Sequence, residues 1–300
     1  MRTSRRFWTG WTAAVLAGAA GLAGAESFPG RVAPAGVQWI AHLDLAAFRE
    51  TAFGKAVIAD PRVAGSPQKA ELAERLGLDP ARDIQSLTLY AAGTNRTDAV
   101  AVIVPEPAAA ERVAAWRSQT NLAAETYGRH TIYRRSLGDG MPFRGVTPDG
   151  RLVAALTRDQ VARALDLLDG KAPVLTPAAF PAWAEGRAGV FLRIGGRQLG
   201  GDVQRIMPQA TLLREARELV LLLGESDGRL WSVLVMQTDH EAAAERLQAA
   251  LQGAIEIGRV MAANEGKGDL FRSLAVTRDG AAIRGTAAWP VAELLQALWP

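Results

Sequence analysis

The sequence predicts an α+β fold: two tandem repeats of an antiparallel sheet covered by helices, with a ferredoxin-like start in each, after a cleaved signal peptide. Strand-like runs in hairpin pairs alternate with helical runs, a pattern typical of an antiparallel sheet with helices on one face. Three segments also recur in the same order at a separation of about 130 residues, too long for a solenoid repeat. The recurring pairs are residues 87–93 with 218–224, 109–113 with 243–247, and 146–150 with 276–280.

The first 25 residues have the three parts of a secretory signal peptide. Arg2, Arg5 and Arg6 precede an apolar run over residues 11–22, and residues 23–25 have the small-x-small pattern of a cleavage site. A membrane helix needs about 20 apolar residues, so this run is too short to span, and no later segment is long enough. We therefore expect a periplasmic or secreted protein without a transmembrane segment.

The predicted domain boundaries follow from the signal peptide and the duplication. Residues 1–25 are the signal peptide, residues 26–169 the first repeat, and residues 188–300 the second repeat. Residues 170–187 are predicted to be a linker, because prolines and glycine interrupt regular structure there.

The elements of the first repeat are predicted from periodicity and from start and stop residues. Asp44 is placed to cap a helix after the first strand, Pro107 suits the first turn of a helix, and residues 148–150 suit a turn between strands. The predicted order is strand 37–43, helix 45–58, helix 68–76, strands 84–92 and 99–104, helix 107–118, strands 130–135, 143–146 and 152–156, and helix 160–168.

The second repeat is predicted to follow the same plan. Thr238 and Glu241 have the spacing of a capping box at the start of a long helix. The predicted order is strand 189–194, a short helical stretch to residue 217, strands 219–223 and 230–236, a helix to about residue 262, strands 270–277 and 281–286, and helix 291–298.

Composition excludes several partners and several kinds of chemistry. The chain has 34 basic and 31 acidic side chains, and three of the arginines lie in the predicted signal peptide. The mature chain is therefore nearly neutral, which makes nucleic acid and anionic membrane surfaces poor partners. The chain contains no cysteine, so disulfides, thiolate metal ligands and thiol catalysis are excluded.

Three motifs resemble catalytic or ligand-binding patterns but lack part of the required context. Residues 224–228 match G-x-S-x-G around Ser226, yet a strand is predicted on both sides, where a nucleophile elbow needs a helix afterwards. His240 opens a helix, but Ala244 occupies the position where a zinc motif needs a second histidine. The glycine pairs of residues 195–201 lack the residues of a phosphate-binding loop. We therefore predict no catalytic residue, no cofactor and no metal site.

His42, Asp44 and Arg193 are the candidates for contact with a ligand or partner. His42 and Asp44 stand at i and i+2 at a strand end, so their side chains leave the same face and could hydrogen-bond. The alternative is that Asp44 is a helix cap and His42 a partly buried strand residue. Arg193 is a polar group that could face a pocket.

Residues 39–45, continued by 48–49 and 53–55, and the later residues 87–90 and 164–170 carry a resemblance to a known group. They resemble a family of uncharacterised exported bacterial proteins with a duplicated α+β unit. The resemblance covers most of the first repeat and thins in the second. It implies an exported globular protein and no particular activity.

These observations favour an exported, non-catalytic interaction or scaffolding protein of the cell envelope, whose partner is an unknown protein or envelope component. One alternative is a periplasmic small-ligand carrier or sensor that binds between the two repeats. A second alternative is a hydrolase built on Ser226 or on His42 and Asp44. An exposed apolar patch would favour the first function.

Overall fold

The computed structural model describes residues 29–67, 69–70, 73, 77–93, 96–109, 112–113, 122–135, 142–184, 188–198, 215–264 and 268–298. The predicted signal peptide lies outside these residues. Most of the predicted helices 68–76 and 107–118, and most of the helical stretch predicted to end at residue 217, also lie outside them. The fold is α+β, with a large antiparallel sheet and several helices, as predicted. None of the helices in the described ranges combines the length and hydrophobicity needed to cross a membrane.

The strands and helices have the following bounds. The strands are β1 Trp39–Asp44, β2 Ile84–Ala91, β3 Val100–Pro105, β4 Leu122–Tyr127, β5 His130–Arg135, β6 Phe143–Val146, β7 Leu152–Ala155, β8 Val190–Arg197, β9 Ala216–Ser226, β10 Arg229–Thr238, β11 Ala275–Asp279 and β12 Ala282–Pro290. The helices are α1 Leu45–Glu50, α2 Ala52–Ala59, α3 Pro61–Ala64, α4 Arg158–Leu168, α5 Glu241–Ala263 and α6 Val291–Leu298.

The chain divides into two compact units. Unit 1 contains residues 43–87 and 101–165, and unit 2 contains residues 28–42, 88–100 and 166–300. The boundary between the units divides strands β1 and β2. In unit 1, which contains residues 43–44 of β1 and 84–87 of β2, the hydrogen-bonded strand order is β1-β2-β3-β7-β6-β5-β4. In unit 2, which contains residues 39–42 of β1 and 88–91 of β2, the order is β11-β12-β10-β9-β8-β1-β2.

Strand β4 is an element that the sequence pattern did not predict. Its side chains are exposed or half-exposed along its whole length, and it lies at the end of the strand order of unit 1. A strand without a buried face lacks the alternation of apolar and polar residues that marks other strands. It is recognised in the structure by its pairing with β5, from Leu122 opposite Arg135 to Tyr127 opposite His130.

The predicted helix 45–58 is two helices, because the chain becomes extended at Thr51, where ψ is 152°. Asp44 caps α1 as predicted, since its Oδ1 accepts a hydrogen bond of 2.9 Å from the Ala47 amide. Thr51 caps α2 by accepting a hydrogen bond of 2.8 Å from the Gly54 amide. Glycine is required at position 54, because a Cβ there would lie 1.9 Å from the Phe48 carbonyl oxygen.

Removing the Thr51 cap should destabilise unit 1. We expect Thr51→Ala to lower the free energy of unfolding by about 1 kcal/mol, since the Gly54 amide loses its acceptor. Thr51→Ser keeps the hydroxyl and should stay within a few tenths of a kcal/mol of wild type. Urea denaturation of both variants measures the difference, and equal losses would show that the hydroxyl does not stabilise the helix start.

The start of helix α5 corrects the predicted capping box. The N-cap is His240 rather than Thr238, and its Nδ1 accepts a hydrogen bond of 3.1 Å from the Ala243 amide. Strand β10 continues through Thr238, whose hydroxyl is 2.9 Å from the Ala281 carbonyl oxygen and 3.0 Å from that of His240. Because Thr238 belongs to the strand, it cannot serve as the helix cap, and the cap passes to His240.

The first two turns of α5 carry its fully buried residues, and Leu251 in the next turn packs partly buried against the same core of unit 2. The fully buried residues are Ala243, Ala244 and Leu247. Ala244 and Leu247 belong to a cluster with Met236 of β10 and Ile283 of β12, both of which are fully buried. The rest of this helix of 23 residues contributes no fully buried side chain.

Candidate functional site

His42 lies in β1 and is almost completely buried, with 1% of its surface exposed. Its Nδ1 is 2.8 Å from Thr88 Oγ1, and its buried Nε2 has no hydrogen-bond partner among the described residues. Burial, and to a smaller degree the charge of Arg193, lowers the pKa of His42 to about 3. The imidazole is therefore neutral near pH 7, whereas a general base needs a pKa near the working pH.

Of the three predicted contact residues, His42 and Arg193 lie on neighbouring strands, and Asp44 caps a helix. His42 and Arg193 lie on β1 and β8, which are neighbours in unit 2, and Arg193 is close enough to affect the imidazole. Asp44 is buried and caps α1. Thr88, the hydrogen-bond partner of His42, was not predicted, because it is 46 positions away and no pattern in the sequence links the two residues.

The G-x-S-x-G segment forms part of a β-hairpin. Ser226 is the last residue of β9 and pairs with Arg229, the first residue of β10. Asp227 and Gly228 form the two-residue turn with φ values of 52° and 69°, as expected for the Asp-Gly turns of tight hairpins. A strand follows Ser226, so this serine lacks the strand-turn-helix setting of a nucleophile elbow.

Five charged residues of unit 1 form a cluster of ion pairs and hydrogen bonds around Arg82. Arg49 is bound to Glu106, with an Nη2 to Oε1 distance of 2.8 Å, and also donates to the Arg82 carbonyl oxygen. The buried Asp83 pairs with Arg82 and Arg112 and accepts a hydrogen bond from the Asp79 amide. These contacts join the helical segment to strand ends, so we assign the cluster a structural role.

Unit 2 contains a polar cleft of about 440 Å³. Arg197 is fixed beside it, since its Nη2 donates to the Ala35 and Val37 carbonyl oxygens at 3.0 and 2.7 Å and its guanidinium lies over the Phe180 ring. Burial raises the pKa of Glu218, although Arg197 and Arg217 oppose the shift. The lining residues are Ala35, Gly36, Val37, Gln38, Ala92, Arg197, Gln198, Arg217 and Glu218.

Helix α5 carries an exposed apolar surface near its C-terminal end. Among the described residues, the exposed large hydrophobic side chains are Ile257, Val260 and Met261, which are 64%, 63% and 57% exposed. Their spacing of three and four residues places them on one side of the helix. Gly253 and Ala254, also exposed, precede them on the same side by one turn. We call these five residues the α5 stripe.

The nearest ion pair lies outside the α5 stripe, because Glu256 and Arg259 are about 100° and 160° around the helix from Ile257. Glu256 Oε1 accepts a hydrogen bond of 2.6 Å from Arg259 Nη1, and residues 247–255 carry no charge. Gly258 faces the remainder of unit 2, because a Cβ at this position would come within 2.5 Å of the Phe271 ring. The stripe is thus a helix surface with large and small apolar residues, next to the side on which the helix is packed.

Comparison with known proteins shows a shared fold. No family model matches the chain, and no curated protein matches it in sequence. The chain is similar to crystal form III of TP0453, with a TM-score of 0.53 and 10% identity over 90% of this chain and 97% of that one. It is also similar to crystal form I of TP0453, with a TM-score of 0.50 and 10% identity over 90% and 96% of the two chains.

Among the described residues, no group of three or more histidine, aspartate or glutamate residues is arranged to hold a metal ion.

Proposed function

We propose that this chain is an exported, non-catalytic interaction protein of the bacterial cell envelope that binds a protein partner through the α5 stripe. The exposure of Ile257, Val260 and Met261 on one helix face carries this proposal. Burying a side chain of this size stabilises a complex by roughly 1.5 to 3 kcal/mol. Contiguous exposed apolar surface of this kind is typical of interaction sites.

The duplicated organisation and the export signal are part of the same proposal. Outward from β1 the strand order is β1-β2-β3-β7-β6, and outward from β8 it is β8-β9-β10-β12-β11. Helix α4 follows β7 as α6 follows β12. Because corresponding strands follow one another in the same order, the topology supports two tandem repeats over residues 26–169 and 188–300.

The resemblance to exported bacterial proteins and the predicted signal peptide support a periplasmic or secreted location.

The polar cleft of unit 2 favours a small-ligand carrier as the second candidate function. Ala35 to Gln38 and Ala92 belong to the first predicted repeat, and Arg197, Gln198, Arg217 and Glu218 belong to the second. A guanidinium and a carboxylate at one cleft suit a small polar ligand with both charges, such as an amino acid. An increase in melting temperature with free amino acids, lost in Arg217→Gln, would support this function.

Site-specific photo-cross-linking in the native host tests the interaction function. A photoreactive phenylalanine analogue replaces Ile257 in the exported protein, and the control places it at Gln252, about 140° around the same helix. We expect discrete cross-linked protein bands from position 257 and none from position 252. Val260→Asp should abolish the bands, because it places a charge in the apolar contact.

The absence of bands at position 257, or equal capture at both positions, would contradict the proposed interaction function. Both positions are exposed on α5, so the comparison separates a specific contact from accidental collision. Circular dichroism of each labelled protein would establish that the helix is still folded.

A further inference from the structure

We infer that the polar cleft of unit 2 binds a short peptide with both termini free, and that two backbone irregularities direct Arg217 and Gln198 towards it. This inference rests on the second candidate function, the small-ligand carrier, and names the class of ligand. Three observations carry it: a β-bulge in β9, the left-handed backbone of Gln198, and the charged groups that line the cleft.

Arg217 is the extra residue of a β-bulge in strand β9. Its neighbours Ala216 and Glu218 lie opposite two consecutive residues of β10, which leaves Arg217 without a cross-strand partner in that strand. Consecutive residues of a regular strand point to opposite faces, whereas a bulge re-aims a side chain. The bulge therefore allows Arg217 and Glu218 to line the same cleft, although they are adjacent in the chain.

Gln198 follows β8 with its backbone in the left-handed region. Its φ is 54°, and its amide donates a hydrogen bond of 2.7 Å to the Arg217 carbonyl oxygen. The other described non-glycine residue with a positive φ, Asp227, lies in an Asp-Gly hairpin turn, where this conformation is usual. Glycine would adopt the backbone of Gln198 with less strain. Strained residues cluster at ligand sites, so we assign the glutamine side chain a ligand contact in the cleft.

The charged groups of the cleft differ in their contacts within the protein. Arg197 is fixed by two backbone carbonyl oxygens and an aromatic ring. Glu218 lies opposite Arg197 across β8 and β9, but within the described residues its carboxylate forms neither a hydrogen bond nor an ion pair. The contact of Arg217 with Asp239 is long, with 4.0 Å between Nη1 and Oδ1, and both side chains are largely exposed. Glu218 and Arg217 are therefore the groups that remain for a ligand.

These groups match a ligand with a positive charge, a negative charge and an amide. Arg217 can bind a carboxylate through two parallel hydrogen bonds, and Glu218 can bind an ammonium group. The side-chain amide of Gln198 offers both donors and an acceptor, which matches the N–H and C=O of a peptide group. The cleft volume of about 440 Å³ lies in the lower part of the range of small-molecule pockets. A dipeptide is the smallest peptide that carries all three groups.

Calorimetric titration of the mature chain with L-alanyl-L-alanine tests the ligand class. We expect this dipeptide to bind at least tenfold more tightly than free alanine, which lacks the peptide group. It should also bind at least tenfold more tightly than its N-acetylated and C-amidated forms, which each lack one charge. Each of these analogues leaves a polar group of the cleft without its partner.

Removal of one charge at a time assigns each terminus of the dipeptide to its residue. Glu218→Gln should bind L-alanyl-L-alanine and the N-acetylated form with equal affinity, because the carboxylate that recognises the ammonium group is gone. Arg217→Gln should bind L-alanyl-L-alanine and the C-amidated form with equal affinity for the corresponding reason. Preferences that stay as in the wild type in both variants would overturn the inference.

Gln198→Gly separates ligand binding from stability. Glycine relieves the strain, so the melting temperature should rise by about 2 °C, while L-alanyl-L-alanine should bind at least tenfold more weakly. Gln198→Ala should weaken binding equally without the rise, since alanine keeps the strained backbone. Asp227→Gly is the matched control, because it relieves strain outside the cleft and should leave binding unchanged.

The outcomes separate this inference from the carrier function on which it rests. Equal affinity for alanine and L-alanyl-L-alanine would overturn the peptide inference and leave the small-ligand carrier in place. Wild-type affinity in Gln198→Gly would also overturn the inference, because the strained glutamine would then make no ligand contact. No binding of the dipeptide up to roughly 10 mM, where a site with a millimolar dissociation constant is occupied, would reject it outright. If free amino acids also leave the melting temperature unchanged, the carrier function is rejected with it.

Discussion

Acidification should destabilise this protein steeply below pH 6.5 through His42. The pKa of His42 is about 3 in the folded protein, against 6.5 for an ordinary histidine. Between these values the unfolded chain binds one more proton than the folded chain, so the free energy of unfolding falls as the pH falls. The expected slope is about 1.4 kcal/mol per pH unit, or about 3 kcal/mol between pH 6.5 and pH 4.

The measurement is urea denaturation at several pH values between 8 and 4, with wild type and His42→Gln compared at each pH. Glutamine keeps polar atoms that can reach Thr88 but does not titrate, so the variant should lack the histidine contribution to the slope. Carboxylates titrate equally in both proteins and cancel in the difference.

Wild type and His42→Gln should diverge below pH 6.5, because only the wild type carries the buried imidazole. Parallel curves for wild type and His42→Gln over this range would show that the buried imidazole is not the source of acid sensitivity.

Gly189→Ala should be among the most destabilising single substitutions in unit 2. Gly189 has a φ of 77°, a region that is unfavourable for residues with a Cβ. A Cβ here would also lie 1.9 Å from the Glu225 carbonyl oxygen, and backbone atoms cannot move aside as a side chain can. We expect a loss of about 3 kcal/mol or more, because β8 and β9 must separate locally.

Gly228→Ala isolates the conformational part of this effect. Gly228 has a similar φ of 69°, but no atom lies within 4 Å of the position that its Cβ would take. Its loss should be about 1 kcal/mol, the usual cost of placing an alanine in the left-handed region. Equal losses at the two positions in urea denaturation would show that the close contact with Glu225 is relieved without cost.

Local sequence signals predicted those elements whose structure depends on neighbouring residues. Asp44 caps α1, Asp227 and Gly228 form the turn between β9 and β10, and strand β5 and helix α6 have the predicted bounds. Each depends on backbone preferences and hydrogen bonds within a few positions. The alternation of apolar residues also predicted most of the strands that bury one face.

The candidate sites were less predictable, because they depend on residues far apart in the chain. His42 was a candidate from the sequence, but its partner Thr88 and its burial follow from strand pairing. The α5 stripe was not singled out, since Ile257, Val260 and Met261 read like the core face of an ordinary amphipathic helix. Only the packed structure shows that α5 buries its first turns and leaves these side chains exposed.

The sequence by itself determined the α+β class, the order of most elements, the absence of cysteine chemistry and the turn at Ser226, because these follow from composition and local backbone preferences. Tertiary structure alone decided the break at Thr51, the cap at His240, the pairing of β4 and the exposed face of α5. Each of these depends on which surfaces meet, and burial is set by contacts between distant segments.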